Sequence, residues 1–427
     1  MRPRGARAAL LWTPALALLL LSLPTIGAEN AAPPDHACAA NETWDSGMAM
    51  CMPSSMPGAS STVVSGQFYL FGVFSDVPGP RGVTQFAAPN MFMLDIGRAS
   101  GPRQFLNLDF MGTTELWTYP YRGYPLLLQI GEERSNGSPY IDAQHPHSSP
   151  IMGLTLSDTV TLRESSTLKL FFAPRGESTD GPIPFMHRQS ARDDPDAPLG
   201  HHVGQDVGHI SSTVLGAQLT LGQVTIETSA FNGTEPQPGK VDLPLEPLNS
   251  EALRVTYAFR PDHSVMTSVA HVRQEDPAYL GATSATRLST SLNDRFAVDG
   301  ATIDHSFVVG WINRYPNGTS ETSLLDEGVF QRGQSDLWGR IEVLQRLASE
   351  LAIPNAPLMG AADDKRWVSS LTLGYTHWTA LAGSLQFGVG TSLTLDVIPS
   401  EWANTYGDRT PLTACLIVQL RGSGRLR

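Results

Sequence analysis

LQFGVGTSLTLDV, from Leu385 to Val397, places an apolar residue or Thr at every odd position and Gln, Gly, Ser, Thr or Asp at every even one. A two-residue period of this kind is a strand with one apolar and one polar face. Outward from this stretch the pattern repeats. Phe92, Leu94 and Ile96 alternate with Met91, Met93 and Asp95, and Leu106, Leu108 and Phe110 with Asn107 and Asp109. Val224, Ile226 and Ala230 oppose Gln223, Thr225, Glu227 and Ser229, while Leu253, Val255, Tyr257 and Phe259 oppose Arg254 and Thr256. Leu337, Ile341 and Val343 are set against Asp336, Arg340 and Glu342; Leu412, Leu416, Val418 and Leu420 against Cys415, Gln419 and Arg421.

The polar faces are mostly small and neutral, which decides the solvent. A soluble sandwich would carry Lys and Glu densely on its wet face, whereas a lumen packed with polar side chains takes Gly, Ser, Thr and Gln. In lipid an open sheet edge costs several kcal/mol per unpaired amide, so the sheet must close. The expectation is a single all-β, transmembrane antiparallel barrel over 62–427 in a bacterial outer membrane, with about 16 strands at roughly 25 residues each; 14 also fit. Asn-Gly at Asn136, Asn232 and Asn317, and Pro261-Asp262, read as turns. Trp117, Trp311, Trp338, Trp367, Trp378 and Trp402 fall near strand ends, where an interfacial girdle places them.

The N-terminus supports export. Arg2, Arg4 and Arg7 precede an apolar run through Leu18 to Leu21, then Pro24, Gly27 and Ala28, so 1–28 reads as a signal peptide. The stretch 29–61 is rich in Ala, Pro, Met and Ser and reads as a flexible periplasmic arm. Cys38 and Cys51 are spaced to close a small loop worth about 3 kcal/mol in an oxidising compartment. Alternatively, Cys51 with Met48, Met50, Met52, Met56 and His36 forms a soft donor set suited to Cu(I). Cys415 reads as a free buried thiol.

A net charge of -12 with only three Lys excludes nucleic acid as a partner, because phosphates select basic faces. The expected partners are outer-membrane lipid and the barrel assembly machinery, with the oligomeric state open.

Chemistry concentrates in the loops. His145, His147, His187, His201, His202 and His209 fall within 65 residues, near Asp193, Asp194 and Asp206, and neutral imidazoles beside carboxylates suit Zn, Ni or Cu(II). His145 and His147 flank Pro146 and in extended chain lie about 7 Å apart, so one ion is not easily shared by both. The segment 173–208 lacks any period and reads as an outer loop or one folded into the lumen. Arg254, Arg340, Glu342 and Arg421 take lumen positions, where charges of both signs either plug a barrel or set the field of a channel. No enzyme is expected: Gly-X-Ser-X-Gly is absent, and His305 and His377 have Ser306 and Thr376 only as strand neighbours on the opposite face.

Several stretches carry a resemblance: GYPLLLQIGEE (Gly123 to Glu133), DAQHPHS (Asp142 to Ser148), PFMHRQSARDDPDAPLGHHVGQDVGHIS (Pro184 to Ser211), WGRIEVL (Trp338 to Leu344), and Leu371 to Tyr375 onward. In these the chain resembles a family of uncharacterised exported bacterial proteins, described as outer-membrane barrels associated with heavy-metal efflux. The resemblance implies His145, His147, His187, His201, His202, Gln205, Asp206, His209, Arg340 and Glu342 as marked positions. Two departures stand out. Ser148-Ser149-Pro150 replaces the family's acidic and aromatic run, and the last strand, read as ending near Leu420, lacks a terminal aromatic. The functional expectation is a channel or accessory pore for small polar solutes or metal ions. The alternatives are a non-conducting barrel binding metal or a partner through its His-rich loops, and an outer-membrane hydrolase.

Overall fold

The computed structural model describes residues 62–133, 138–147, 150–238, 240–273, 282–316, 319–358, 361 and 364–426, and the backbone of Glu42–Asp45 and Met50–Pro53. These last two segments pair antiparallel within the stretch read as an arm. The signal peptide, Cys38 and therefore the Cys38 to Cys51 disulfide lie outside the described residues, as do the Met and His donors proposed for Cu(I) apart from the backbone of 50–52.

Sixteen antiparallel strands close on themselves. They are β1 Thr62–Asp76, β2 Asn90–Gly101, β3 Gln104–Gly112, β4 Ile151–Arg163, β5 Ser166–Gly176, β6 Ser211–Leu221, β7 Val224–Asn232 and β8 Ser250–Arg260. Then follow β9 His263–Arg273, β10 Ser284–Val298, β11 Ala301–Tyr315, β12 Thr319–Arg332, β13 Ser335–Leu347, β14 Lys365–Ala382, β15 Leu385–Val397 and β16 Leu412–Leu426. Closure joins β16 to β1 from Ala414 opposite Asp76 to Leu426 opposite Val64. The last strand therefore continues six residues beyond Leu420, because β1 offers pairing partners along its whole length.

The connections sort by end. Those at one end, such as 102–103, 164–165, 261–262 and 299–300, are two residues long, while 77–89, 113–150, 177–210, 233–249, 348–364 and 398–411 at the other are far longer. Short periplasmic turns opposite long outer loops are the pattern of outer-membrane barrels, and β1 begins and β16 ends at the short-turn side.

On β15, Phe387, Val389, Leu393 and Leu395 are exposed outward while Ser392, Thr394 and Asp396 are buried inward. Outward Phe92, Leu94, Leu106, Leu156, Leu170, Leu215, Leu253, Leu373 and Leu416 continue the apolar belt around the wall. An apolar exterior on a ring without free edges needs lipid.

Inside, the lumen is filled. Tyr69, Phe71 and Val73 of β1 pack with Leu126, Leu127 and Leu128 of the second long loop, with Leu199, and with Trp402 and Tyr406 of the last loop. Trp338, Trp378 and Trp402 are buried, which corrects the girdle reading for these three. The cause is strand parity: Trp338 shares the inward face of Asp336 and Arg340, and its indole N–H donates to Thr376 Oγ1 at 3.1 Å. Trp378 donates to Asp336 Oδ2 at 2.8 Å beneath the Arg421 guanidinium, 3.6 Å from its ring centre. Trp117 and Trp367 are exposed. Cys415 is free and buried, facing Ser75 across the β16–β1 seam.

Candidate metal centre

The third long loop, 177–210, enters the barrel instead of projecting from it, and nearly all its side chains between 178 and 206 are buried. Strand β5 runs through Gly176, so residues 173–176 of the stretch read as loop belong to the wall. Inward charges hold the loop. Glu327 of β12 accepts from Arg188 Nη1 (3.0 Å), Ser190 Oγ (2.7 Å) and Arg340 Nε (3.0 Å). Arg340 also reaches Asp194 Oδ2 (3.1 Å) and the Asp196 carbonyl (2.7 Å). Arg287 pairs with Asp180 (2.8 Å), and the Gly200 N–H donates to Glu342 (3.3 Å). Arg254 instead forks onto Glu227 of the neighbouring strand, both contacts at 2.8 Å.

The turn 201–205 lies against β11 through two glycines. A Cβ on Gly310 would meet the Val203 carbonyl oxygen at 2.0 Å, and Gly204, at φ +80°, lies against the Gly310 backbone. Ser323 Oγ donates to the same Val203 carbonyl at 2.6 Å. This close seat fixes where His201 and His202 stand.

Three long loops then converge. His145 comes from the second, His201, His202, Asp206 and His209 from the third, and Glu235 from the fourth. Ligand atoms of His145, His201, His202 and Glu235 all lie within 4.8 Å of one another, and so do those of His201, Asp206 and His209. Ring centres are 4.5 Å apart for His201 and His202, and 4.3 Å for His201 and His209. Glu235 sits 3.3 Å from His209 Nε2, 3.5 Å from His202 Nε2 and 3.8 Å from His145 Nε2.

The Nδ1 atoms are occupied on the far side of the rings. His145 Nδ1 lies 3.0 Å from the Pro146 carbonyl, His209 Nδ1 2.8 Å from the Asp206 carbonyl, and His201 Nδ1 3.1 Å from Asp206 Oδ2. Such outer contacts fix the tautomer and leave Nε2 as the donor to a metal. The Nε2 of His201 is buried with no hydrogen-bond partner among the described residues. An orphaned imidazole nitrogen on a ring grouped with two other imidazoles and the Glu235 carboxylate is an arrangement a cation satisfies.

Electrostatics point the same way. Burial pushes His145 and His201 down to about 3 and His202 to about 4, so these rings are neutral with lone pairs available. At His209 burial opposes the charge, yet Glu235 overrides it and raises the ring to about 9. Against the same burial, His209 holds Glu235 well below the usual range, and His201 and His209 hold Asp206 at about 2. Two carboxylates thus face one imidazolium, with the Arg287 and Arg346 guanidiniums acting on His202 and Arg188 on Asp206.

Among the sequence candidates, His145, His201, His202 and His209 are brought together. His147 lies outside both ligand groups: its Nδ1 is 2.5 Å from Glu115 Oε2. His187 pairs with Glu177 elsewhere on the loop. Glu235 and Glu115 had no signal in the sequence, being single acids in loops whose approach depends on the fold. A cavity of about 70 Å³ adjoins the centre between loop and wall, lined by Tyr69, Met91, Glu115, Met152, His145 and His201.

No protein-family model and no curated protein matches the chain. Solved outer-membrane proteins do resemble it. An anion-selective porin from Comamonas acidovorans is 11% identical over 86% of this chain and 100% of its own, with a TM-score of 0.51. OprB from Pseudomonas putida is 9% identical over 86% and 94%, at 0.49, and OmpF from Salmonella typhi, in complex with daunomycin, 8% identical over 85% and 98%, at 0.49. At such identities the likeness is one of fold. The apolar belt on a closed ring of strands, a fold shared with the Comamonas porin, makes this chain a transmembrane β-barrel of the outer-membrane type.

Proposed function

We propose that this protein is an outer-membrane metal-binding barrel whose inward-folded loops chelate one borderline divalent ion, Zn, Ni or Cu(II). The observation that carries this reading is the convergence of His145, His201, His202 and Glu235 within 4.8 Å, with the His201 Nε2 orphaned. Three imidazoles and a carboxylate are too soft a set for Mg or Ca and too hard for Cu(I), and they fit the borderline ions. Bound there, the ion would cross-link three loops and pair with the Glu235 carboxylate; His209 and Asp206 orient the ring of His201. The motif resemblance to proteins associated with heavy-metal efflux supports the same reading.

Calorimetric titration of the untagged full-length protein in detergent with Zn(II), Ni(II) and Cu(II) tests it. One-to-one binding by wild type and its loss in a His201→Ala/His202→Ala variant are expected. Equal heats from the two proteins would sink the proposal.

A pore for small polar solutes is the second reading, favoured by inward charges of both signs at Arg254, Arg340, Glu342 and Arg421. Conduction then requires that 177–210 leave the lumen, so planar-bilayer recording separates the readings. Steady wild-type conductance supports the pore; silence supports the closed metal-binding barrel.

A further inference from the structure

Ionisable side chains interrupt the apolar exterior most densely on one face, while Asp158 of β4, opposite outward Leu106 and Leu170, and His377 of β14 stand singly. On β9 to β12, where lipid-facing positions elsewhere carry Leu, Val and Phe, the outward residues include His263, Asp294, His305 and Asp326. Their orientation is fixed by their neighbours. Arg287, Ser289 and Ser291 of β10 are buried inward, so Asp294 points outward; Glu327 and Leu325 of β12 are buried inward, so Asp326 points outward. The four form a chain along the outer surface. His263 Nδ1 is 2.8 Å from Asp294 Oδ1, His305 Nδ1 is 3.7 Å from Asp294 Oδ2, and His305 Nε2 is 2.9 Å from Asp326 Oδ1. Exposed Phe259 stacks on His263 and exposed Phe296 tilts against it, which confirms the outer face. Above them the exposed hydroxyls of Thr267 and Thr290 bond at 3.2 Å.

Asp294 lies between outward Leu292 and Phe296, and Asp326 between outward Leu324 and Gly328, so both carboxylates stand among apolar outward neighbours. Carboxylates there are costly against hydrocarbon and are expected to face protein. A separate part of the wall gives the contrast. Strands β15, β16 and β1 expose Val389, Leu393, Leu416, Val418 and Phe74 without a charged residue among them.

We infer that the outer face of β9–β12 is an interface with a second copy of this chain in the membrane. Charge complementarity selects that occupant. Across the wall the order is His, Asp, His, Asp, and a two-fold axis parallel to the barrel axis between β10 and β11 reverses it, so that imidazoles of one copy meet carboxylates of the other. A self-complementary patch is what an isologous contact needs.

Oxidative cross-linking in intact outer membranes tests the inference with full-length Thr290→Cys, near the axis, and Leu416→Cys, with five strands between the two positions around the wall; wild type sets the baseline for the native cysteines. A cross-linked species of twice the monomer mass from Thr290→Cys alone is expected. A monomer, or a product joined to a chain of different mass, overturns it. As a second measurement, a variant with Asp294, His305 and Asp326 all replaced by leucine suits lipid and is expected to insert as a heat-modifiable monomer. Retention of the dimer by that variant also overturns the inference.

Discussion

Replacing Glu327 by alanine is expected to release the lumen loop while leaving the barrel standing. Glu327 is 1% exposed and takes three hydrogen bonds, two from the loop residues Arg188 and Ser190 and one from Arg340 of the adjacent strand. Breaking a buried ion pair by removing one partner costs about 3 to 5 kcal/mol, because the other charge is left uncompensated. Here both guanidiniums keep secondary acceptors: Arg188 the carbonyls of Ile183 and Gln205, Arg340 the Asp194 carboxylate and the Asp196 carbonyl. The lower end, about 3 kcal/mol, is therefore the appropriate figure. The loss falls on the docked state, since Arg188 regains water when the loop leaves. At about 1.4 kcal/mol per tenfold, the ratio of docked to undocked loop falls by roughly a hundredfold. Hydrogen–deuterium exchange by mass spectrometry reads this directly: amides in 178–206 should exchange roughly a hundredfold faster, with β7 and β15 unchanged. A loop acceleration below about fivefold, or an equal rise in the strands, would refute the view that Glu327 pins an independently docked segment.

Gly310→Ala should force the 201–205 turn off its seat, because the new Cβ meets the Val203 oxygen at 2.0 Å; overpacking of this kind costs about 1 to 3 kcal/mol. Weakened zinc binding by a protein that still migrates as a folded barrel is the expected result, and unchanged affinity would count against the close seat. His201→Ala should weaken zinc by at least about a hundredfold and His147→Ala by less than about tenfold, since only the first lies in the ligand groups. Comparable losses would mean the ligand set is drawn wrongly. The third concerns pH. Burial, and then the Asp336 carboxylate, push loop residue Asp193 up to about 8. The folded protein thus holds a proton that the unfolded chain releases near pH 4, so this contribution is complete below about pH 4 and fades as pH rises through 8. Asp193→Asn should flatten the decline in loop protection between pH 5 and 8, and an unaltered pH profile would show that Asp193 does not carry it.

Much of the barrel was legible because a strand's period is local. Each of β2, β3, β8, β13 and β15 could be recognised from ten or so residues, and lipid outside with packed polar groups inside imposes that alternation on every strand. The length of β16 was not, since the residues after Leu420 become strand only through their pairing with Val64 to Tyr69. The tryptophans show the same limit. Trp338 and Trp378 look like interface residues by position along the chain, but they are held inside by Thr376, Asp336 and Arg421.

The histidines divide along a similar line. Residue chemistry alone singled out His145, His201, His202 and His209, because imidazoles clustered in a short stretch of loop are unusual whatever the fold. It could neither supply Glu235 nor set His187 aside, because ligand sets are defined by distances between loops that are far apart in sequence. The alternation of side chains determined a membrane-embedded ring of strands, since that pattern is written residue by residue. Only the tertiary structure decided that the third long loop turns inward, that Gly310 lets it approach the wall, and that four ligands from three loops face one another. Those outcomes depend on loop closure across the lumen, which no local period encodes.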